Sequence, residues 1–251
     1  MPKVKLFDTA KKSSKYDKFL KDHPYFCNSF KLVLCGPSGC GKTQLLYNII
    51  FSKEFLLPLW KNSKGLINCF IPTEDTCLEI AGLAKKNRFD PKRFKIHNKW
   101  VASVCQDEYD KLDEKEANLF IFDDVAFLSN FSNPHKRNVI DEILCAGRHK
   151  SAYCIVLSQK YTHLNENLRA NNASCIILFY GLIQKELTRI YVENFCFMSE
   201  EEYNKLIKEN LNEPYKFVVY DKKHNKIYND EFEEIKIKDE KIDDDDEIYD
   251  E

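Results

Sequence analysis

The segment with the clearest chemical meaning is the glycine-rich run GPSGCGKT, which has the spacing G-x-x-x-x-G-K-[ST]. Its members are Gly36, Pro37, Ser38, Gly39, Cys40, Gly41, Lys42 and Thr43. Glycines at this spacing let backbone N–H groups converge on phosphate oxygens, while the lysine reaches the β- and γ-phosphates. The threonine hydroxyl is suited to bind Mg²⁺. The run therefore predicts a site for a nucleoside triphosphate, which we expect to be ATP with Mg²⁺.

A second candidate group is the pair Asp123 and Asp124, which follows the apolar run LFIF. A buried parallel strand of this kind delivers carboxylates to the carboxyl edge of its sheet. Alone, such a pair is more often a turn or a helix cap. Beside a phosphate-binding loop, we expect Asp123 to hold Mg²⁺ and Asp124 to polarise the attacking water.

Three further polar residues are candidates for catalysis. Gln159 follows the apolar run YCIVL and Ser158, where an amide could sense the γ-phosphate or orient water, or simply face solvent. Arg148 and Arg169 lie in the segments AGRHK and NLRANN, close to predicted strands. Either arginine could reach a neighbouring subunit's γ-phosphate as a trans-acting finger, contact DNA phosphates, or be an ordinary surface arginine.

The elements that must position these residues alternate between strand and helix. Apolar runs predict strands at Phe30–Cys35, Leu66–Ile71, Phe94–Ile96, Leu119–Phe122, Tyr153–Leu157 and Cys175–Phe179. Helical spacing predicts helices at Thr43–Phe51, at Glu74–Asn87 with Thr73 as N-cap, at Val101–Asn118 and at His135–Ala146. The alternation favours an α/β fold: a three-layer α/β/α P-loop NTPase of the RecA-like (ASCE) type with a mostly parallel central sheet.

The domain organisation follows from the same pattern and from the charges. We expect an N-terminal arm at residues 1–25, the ATPase domain at 26–200, a C-terminal helix and β-hairpin at 201–229, and an acidic disordered tail at 230–251. The tail has thirteen Asp and Glu against three Lys, a charge of -10. Because the whole chain carries -2, residues 1–229 carry +8, which suits a polyanionic partner.

Several classes of protein are excluded by composition. No apolar run approaches the ~18 residues of a membrane-spanning helix, so we do not expect an integral membrane protein. The N-terminal residues lack the apolar stretch of a secretion signal, and a cytosolic compartment is expected. The ten cysteines lack the spacing of a zinc site, and several lie inside apolar runs, where we expect them to be reduced and buried.

Four segments together resemble the poxvirus-type genome-packaging ATPases of large DNA viruses and virophages, within the FtsK and HerA superfamily. They are GPSGCGKT, LFIFDD, AGRHK before a strand ending in LSQ, and LRANN before CIILF. The resemblance covers about residues 30–179. The Asp at position 124 departs from the Asp-Glu pair of the cellular translocases but is compatible with the viral branch.

The resemblance implies an ATP-driven motor that threads double-stranded DNA, without sequence specificity, into a preformed capsid. It implies a homo-oligomeric ring, hexameric or pentameric, with capsid, portal or membrane-associated capsid proteins as partners. The expected location is the host cytoplasm, in a virus factory, or the virion. The phosphate-binding loop alone also allows a small-molecule or nucleotide kinase, or a GTP-binding switch protein. The chain shows neither the arginine-rich lid that a kinase needs nor the NKxD-like guanine reader that a switch protein needs.

Overall fold

A computed structural model describes residues 29–124, 139–164 and 166–236. The predicted arm at 1–25 and most of the predicted acidic tail lie outside these ranges. In the described chain, nine strands form one sheet in the order β3-β2-β4-β5-β1-β6-β7-β8-β9. The strands are β1 Lys31–Cys35, β2 Ile67–Phe70, β3 Phe94–His97, β4 Asn118–Asp123, β5 Ala152–Ser158, β6 Cys175–Phe179, β7 Phe217–Asp221, β8 Lys226–Tyr228 and β9 Glu234–Ile235.

The helices cover both faces of this sheet. They are α1 Lys42–Phe51, α2 Leu57–Asn62, α3 Glu74–Lys86, α4 Ala102–Asp110, α5 Val139–Ala146, α6 Gln184–Ile190 and α7 Glu200–Asn210. Single turns of 3₁₀ helix lie at Gly147–Lys150 and Tyr161–His163, and π-helical turns lie at Asn167–Asn172 and Tyr191–Phe195.

The central strand β1 shows how the three layers are built. Leu32 and Leu34 pack with α1, α2 and α3 on one face, while Val33 and Cys35 pack with α4 to α7 on the other. All five residues of β1 are buried. A strand buried on both faces needs a mostly apolar sequence, which is why the parallel strands could be recognised as largely apolar runs. The predicted three-layer α/β/α class is confirmed.

The pairing of neighbouring strands changes from parallel to antiparallel at one place in the described sheet. From β3 to β6 each neighbouring pair is parallel, whereas β7, β8 and β9 are added antiparallel. The predicted C-terminal hairpin is therefore not a separate appendage, since β7 pairs with β6 along its whole length. The predicted tail boundary at residue 230 is too early, because Glu234 and Ile235 still pair with β8.

One predicted helix differs from the structure, while a predicted N-cap residue is confirmed in its position. The helix expected at Val101–Asn118 ends at Asp110, and Asn118 already begins β4. The buried side chain of Asn118 explains the early end, because its amide donates to the carbonyls of Asp113, Glu116 and Lys150 and so holds the connecting turn in place. Thr73 does occupy the N-cap of α3, but its side chain makes no capping hydrogen bond.

Candidate nucleotide-binding site

Three strand ends meet at one edge of the sheet and define the site. Cys35, the last residue of β1, lies opposite Ser158, the last residue of β5, and the Gly36 N–H donates to the Ser158 carbonyl over 3.2 Å. On the other side of β5, Asp123 lies opposite Leu157. The glycine-rich loop, the aspartate pair and Gln159 therefore all leave the carboxyl edge of adjacent parallel strands, where α/β proteins bind their ligands.

The loop has a backbone that its glycines make possible. Gly39 and Gly41 have φ values of 76° and 100°, in the left-handed region that glycine adopts without strain. Gly36 is required for a different reason, since a Cβ there would lie 2.6 Å from Cβ of Phe179 on β6. Ser38 and Gly39 are exposed at the tip, Pro37 is half-buried, and Cys40 is buried beneath the loop. The tip is therefore open to a ligand.

Lys42 lies at the first turn of α1 and is buried. Its Nζ donates to the carbonyls of Gly36 and Pro37, over 2.7 and 2.8 Å, so the ammonium closes the loop on itself. A bound phosphate offers the same ammonium stronger, charged acceptors. The lysine is therefore placed to exchange loop carbonyls for phosphate oxygens.

Asp123 and Thr43 are the candidate ligands of Mg²⁺. Burial and the neighbouring Asp124 together raise the pKa of Asp123 to about 6, although the Lys42 ammonium opposes them. A buried carboxylate with this little positive charge around it is suited to a divalent cation. Carboxylate and hydroxyl oxygens are also the donors that Mg²⁺ accepts, so the two residues fit the ion.

Asp124 and Gln159 contact each other directly. The side-chain amide of Gln159 donates to Oδ2 of Asp124 over 2.6 Å, and its backbone N–H donates to Oδ1 over 3.2 Å. Asp124 has a φ of 49°, and its own N–H donates to the Leu157 carbonyl. The two residues that were expected to handle the water therefore form one hydrogen-bonded unit across β4 and β5.

Arg148 lies far from this unit. It is exposed on the 3₁₀ turn that precedes β5, at the amino edge of the sheet. Seven residues of β5 separate the two edges, which is about 20 Å of extended chain. Within one subunit Arg148 does not reach its own phosphate loop, so a catalytic role for it requires a second copy of the chain.

Arg169 is buried and has several partners inside its own subunit. Its guanidinium forms an ion pair with Glu193, donates from Nε to the Leu164 carbonyl over 3.1 Å, and lies 5.5 Å from the centre of the Tyr161 ring. Only 9% of its side chain is exposed. This arrangement favours a structural role over that of a trans-acting finger.

Sequence reasoning missed three residues that lie beside the loop or hold the turn after Gln159. Gly181 has a φ of 92°, and a Cβ there would lie 2.9 Å from Cγ of Pro37. Glu186, on α6, accepts hydrogen bonds from Thr162, three residues after Gln159. Tyr215 lies beside Gly41. Glycine is scarce in this chain, which could have marked Gly181, but no sequence pattern marks the other two.

In the part of the chain that is described, no helix has both the length and the apolar character needed to cross a bilayer.

Comparison with known proteins gives structural matches but no match by sequence. No protein-family model and no curated protein matches the chain. The genome packaging NTPase of Sulfolobus turreted icosahedral virus 2, solved with ATP-gammaS, is similar with a TM-score of 0.58 at 19% identity, over 81% of this chain and 98% of that one. The DNA-packaging ATPase of Sulfolobus turreted icosahedral virus is similar with a TM-score of 0.58 at 18% identity, over 83% and 98%. This chain therefore has the same fold as these two packaging proteins, as the sequence resemblance implied.

Proposed function

We propose that this chain is a Mg²⁺-dependent ATPase that drives double-stranded DNA into a preformed viral capsid. The observation that carries the proposal is the meeting of the Gly36–Thr43 loop, Asp123 and the Asp124–Gln159 pair at one sheet edge. The fold shared with viral packaging NTPases supports the same conclusion.

The residues have distinct roles in hydrolysis. Backbone N–H groups of the loop and the Lys42 ammonium hold the phosphates, and Thr43 with Asp123 would hold Mg²⁺, which neutralises charge on the β- and γ-oxygens. Asp124 orients the attacking water and accepts its proton. Gln159 fixes the Asp124 carboxylate and, from this position, would respond to the γ-phosphate.

Contact with DNA is the second part of the proposal. The charge of +8 on residues 1–229 suits non-specific contact with phosphates. Lys136 and Arg137, in a basic segment suited to this contact, lie outside the described residues. Lys150 lies against the Tyr109 ring and donates to its carbonyl, which makes it a weaker candidate.

A homo-oligomeric ring, hexameric or pentameric, would let the exposed Arg148 approach a neighbour's site. Capsid, portal or membrane-associated capsid proteins are the proposed docking partners. The place of action is then the host cytoplasm, in a virus factory, or the virion.

ATP hydrolysis by the purified full chain, with and without double-stranded DNA, tests the proposal. We expect a DNA-stimulated rate that Lys42→Ala and Asp123→Ala abolish and that the exposed-lysine control Lys85→Ala leaves unchanged. The stimulation should weaken as salt rises, because phosphate contacts release counterions. A rate of hydrolysis that DNA does not change at low salt, or transfer of the phosphate to a small acceptor, would contradict the motor function and favour a kinase.

A further inference from the structure

Tyr215 is an exposed aromatic residue that lies directly beside the phosphate-binding loop. Its side chain is 67% exposed, yet its ring atom Cδ1 lies 3.4 Å from the position that a Cβ on Gly41 would take. The ring therefore lies next to the last glycine before Lys42, at the distance where only a single added methyl group would fit between them, and most of the residue is still open to a ligand.

The backbone at this position is unusual for an aromatic residue. Tyr215 has a φ of 71°, a conformation that is costly for a large side chain and that glycine adopts freely. The next residue is firmly placed, because the Lys216 carbonyl accepts the Tyr180 N–H over 2.9 Å and the Lys216 ammonium pairs with Asp230. The sheet thus holds a strained tyrosine against the loop, and strain of this kind concentrates at ligand sites.

The strand order gives the direction in which a bound nucleotide must extend. Asp124 and Gln159 follow β4 and β5, on one side of β1, so the γ-phosphate lies on that side. Tyr215 precedes β7, on the opposite side of β1 beyond β6. A triphosphate that crosses the loop from β5 therefore carries its nucleoside toward the Tyr215 ring.

We propose that Tyr215 is the stacking platform for the nucleotide base. This inference rests on the proposed function, and it adds where the nucleoside binds. Because the face of the ring makes the contact, the phenolic hydroxyl is not required. Stacking of a base on an aromatic side chain strengthens binding by about tenfold or more, and inorganic triphosphate, which has no base, gains nothing from it.

The test compares the affinity of the full chain for Mg²⁺ with ATP and for Mg²⁺ with inorganic tripolyphosphate, by titration calorimetry. Tyr215→Phe keeps the ring, whereas Tyr215→Ala removes it. Tyr215→Gly removes it and also relieves the backbone strain, so a fold defect in the alanine variant would not decide the result. Thermal unfolding of each variant shows whether the fold is kept.

We expect ATP affinity to fall about tenfold or more in Tyr215→Ala and Tyr215→Gly and to stay unchanged in Tyr215→Phe, with tripolyphosphate binding equal in all four proteins. If the ring only supports the loop, both ligands weaken together, and that result overturns the inference. Unchanged ATP affinity in both truncated variants overturns it as well. A wild-type chain that binds neither ligand would overturn the proposed function itself, which distinguishes the two failures.

Discussion

Gln159 holds the Asp124 carboxylate at both oxygens, through its side-chain amide at 2.6 Å and its backbone N–H at 3.2 Å. The two residues directly follow neighbouring parallel strands, so a shift of one strand end moves the other. In the proposed mechanism, the carboxylate that orients water is thereby positioned by Gln159, the residue proposed to sense the γ-phosphate. Catalysis in this chain is then expected to depend on the pair rather than on either residue alone.

Replacement of Gln159 by Ala should slow the chemical step rather than weaken binding. Removal of the amide leaves the Asp124 carboxylate free to rotate, and a misplaced base loses much of the 10²–10⁴-fold or so that positioned proton transfer contributes. We expect kcat to fall about 10- to 100-fold while KM for ATP stays within about threefold. Steady-state ATPase kinetics measure both constants.

The matched control for this substitution is Lys160→Ala, the exposed neighbour, which should leave kcat unchanged. The double variant Asp124→Asn with Gln159→Ala should be no slower than Asp124→Asn alone, because the amide acts through the carboxylate. Fully additive losses would show that the two residues act independently and would contradict the pairing argument.

Alanine substitutions at the two candidate arginines, Arg169 and Arg148, should have different effects on the free energy of unfolding. Burial alone would raise the pKa of Glu193, but hydrogen bonds from Arg169 and Tyr161 and the nearby arginine charges hold it below its ordinary value. Arg169→Ala leaves the Glu193 carboxylate buried without its ion pair to Arg169, so we expect the free energy of unfolding to fall by about 3 kcal/mol. The exposed Arg148→Ala should change it by less than about 0.5 kcal/mol. Urea unfolding measures both.

Arg148→Ala should act on assembly-dependent activity instead. If Arg148 is the trans-acting finger, hydrolysis in the presence of DNA falls by about 10³-fold or more while ATP binding is kept. Mixing this variant with Asp124→Asn should restore some activity, because a site formed by one subunit of each kind can regain both residues. An Arg148→Ala protein with wild-type hydrolysis would exclude Arg148 as the finger.

The sequence predicted the loop, the carboxylates and the parallel strands because each depends on a local pattern. A few consecutive residues are enough to recognise the loop Gly36–Thr43 and the apolar runs before Asp123 and Gln159. These elements were therefore found at nearly their observed bounds.

The sequence could not show what depends on distant partners. Arg169 is fixed by Glu193, which is 24 residues later in the chain, and no local pattern tells a buried arginine from an exposed one. The hairpin strand β7 could pair with either sheet edge or with neither, and only packing selects β6. Tyr215 reaches Gly41 for the same reason, because β7 carries it there.

Asp123→Asn should stabilise the nucleotide-free protein in a pH-dependent way. The pKa of Asp123 is about 6 in the folded chain, against an ordinary value of 3.8, so the folded state binds the proton more tightly than the unfolded state. Stability is therefore lost as pH rises through this window, and the ionised carboxylate costs roughly 3 kcal/mol near pH 8. Asparagine has similar size and no charge, and removes that cost.

Urea unfolding in EDTA should show the gain for Asp123→Asn as about 1–3 kcal/mol near pH 8, shrinking by about half near pH 5. The exposed control Asp75→Asn should show no such trend. In the presence of Mg²⁺ and ATP, the wild type should become more stable than Asp123→Asn, because only the wild-type carboxylate can hold the ion. An equal gain at both pH values would contradict the raised pKa.

Glu186 should matter for catalysis although it lies outside the phosphate loop. This buried carboxylate accepts the Thr162 N–H over 2.8 Å and the Thr162 hydroxyl over 2.7 Å, which fixes the turn that follows Gln159. Glu186→Ala frees that turn and removes two hydrogen bonds to a buried carboxylate, so we expect a loss of about 1–3 kcal/mol in stability. The released turn also loosens Gln159, and kcat should fall about tenfold with KM for ATP nearly unchanged.

The control for Glu186 is Thr162→Val, which keeps the backbone hydrogen bond and loses only the hydroxyl. If the turn positions Gln159, this variant retains most of its kcat, and adding Gln159→Ala to Glu186→Ala slows the enzyme no further than Gln159→Ala does. If Glu186 only supports the fold, its alanine variant loses stability but keeps wild-type kcat at low temperature. That second outcome would show that the contact between Glu186 on α6 and the turn after Gln159 has no role in catalysis. The catalytic unit would then be limited to the Asp124–Gln159 pair.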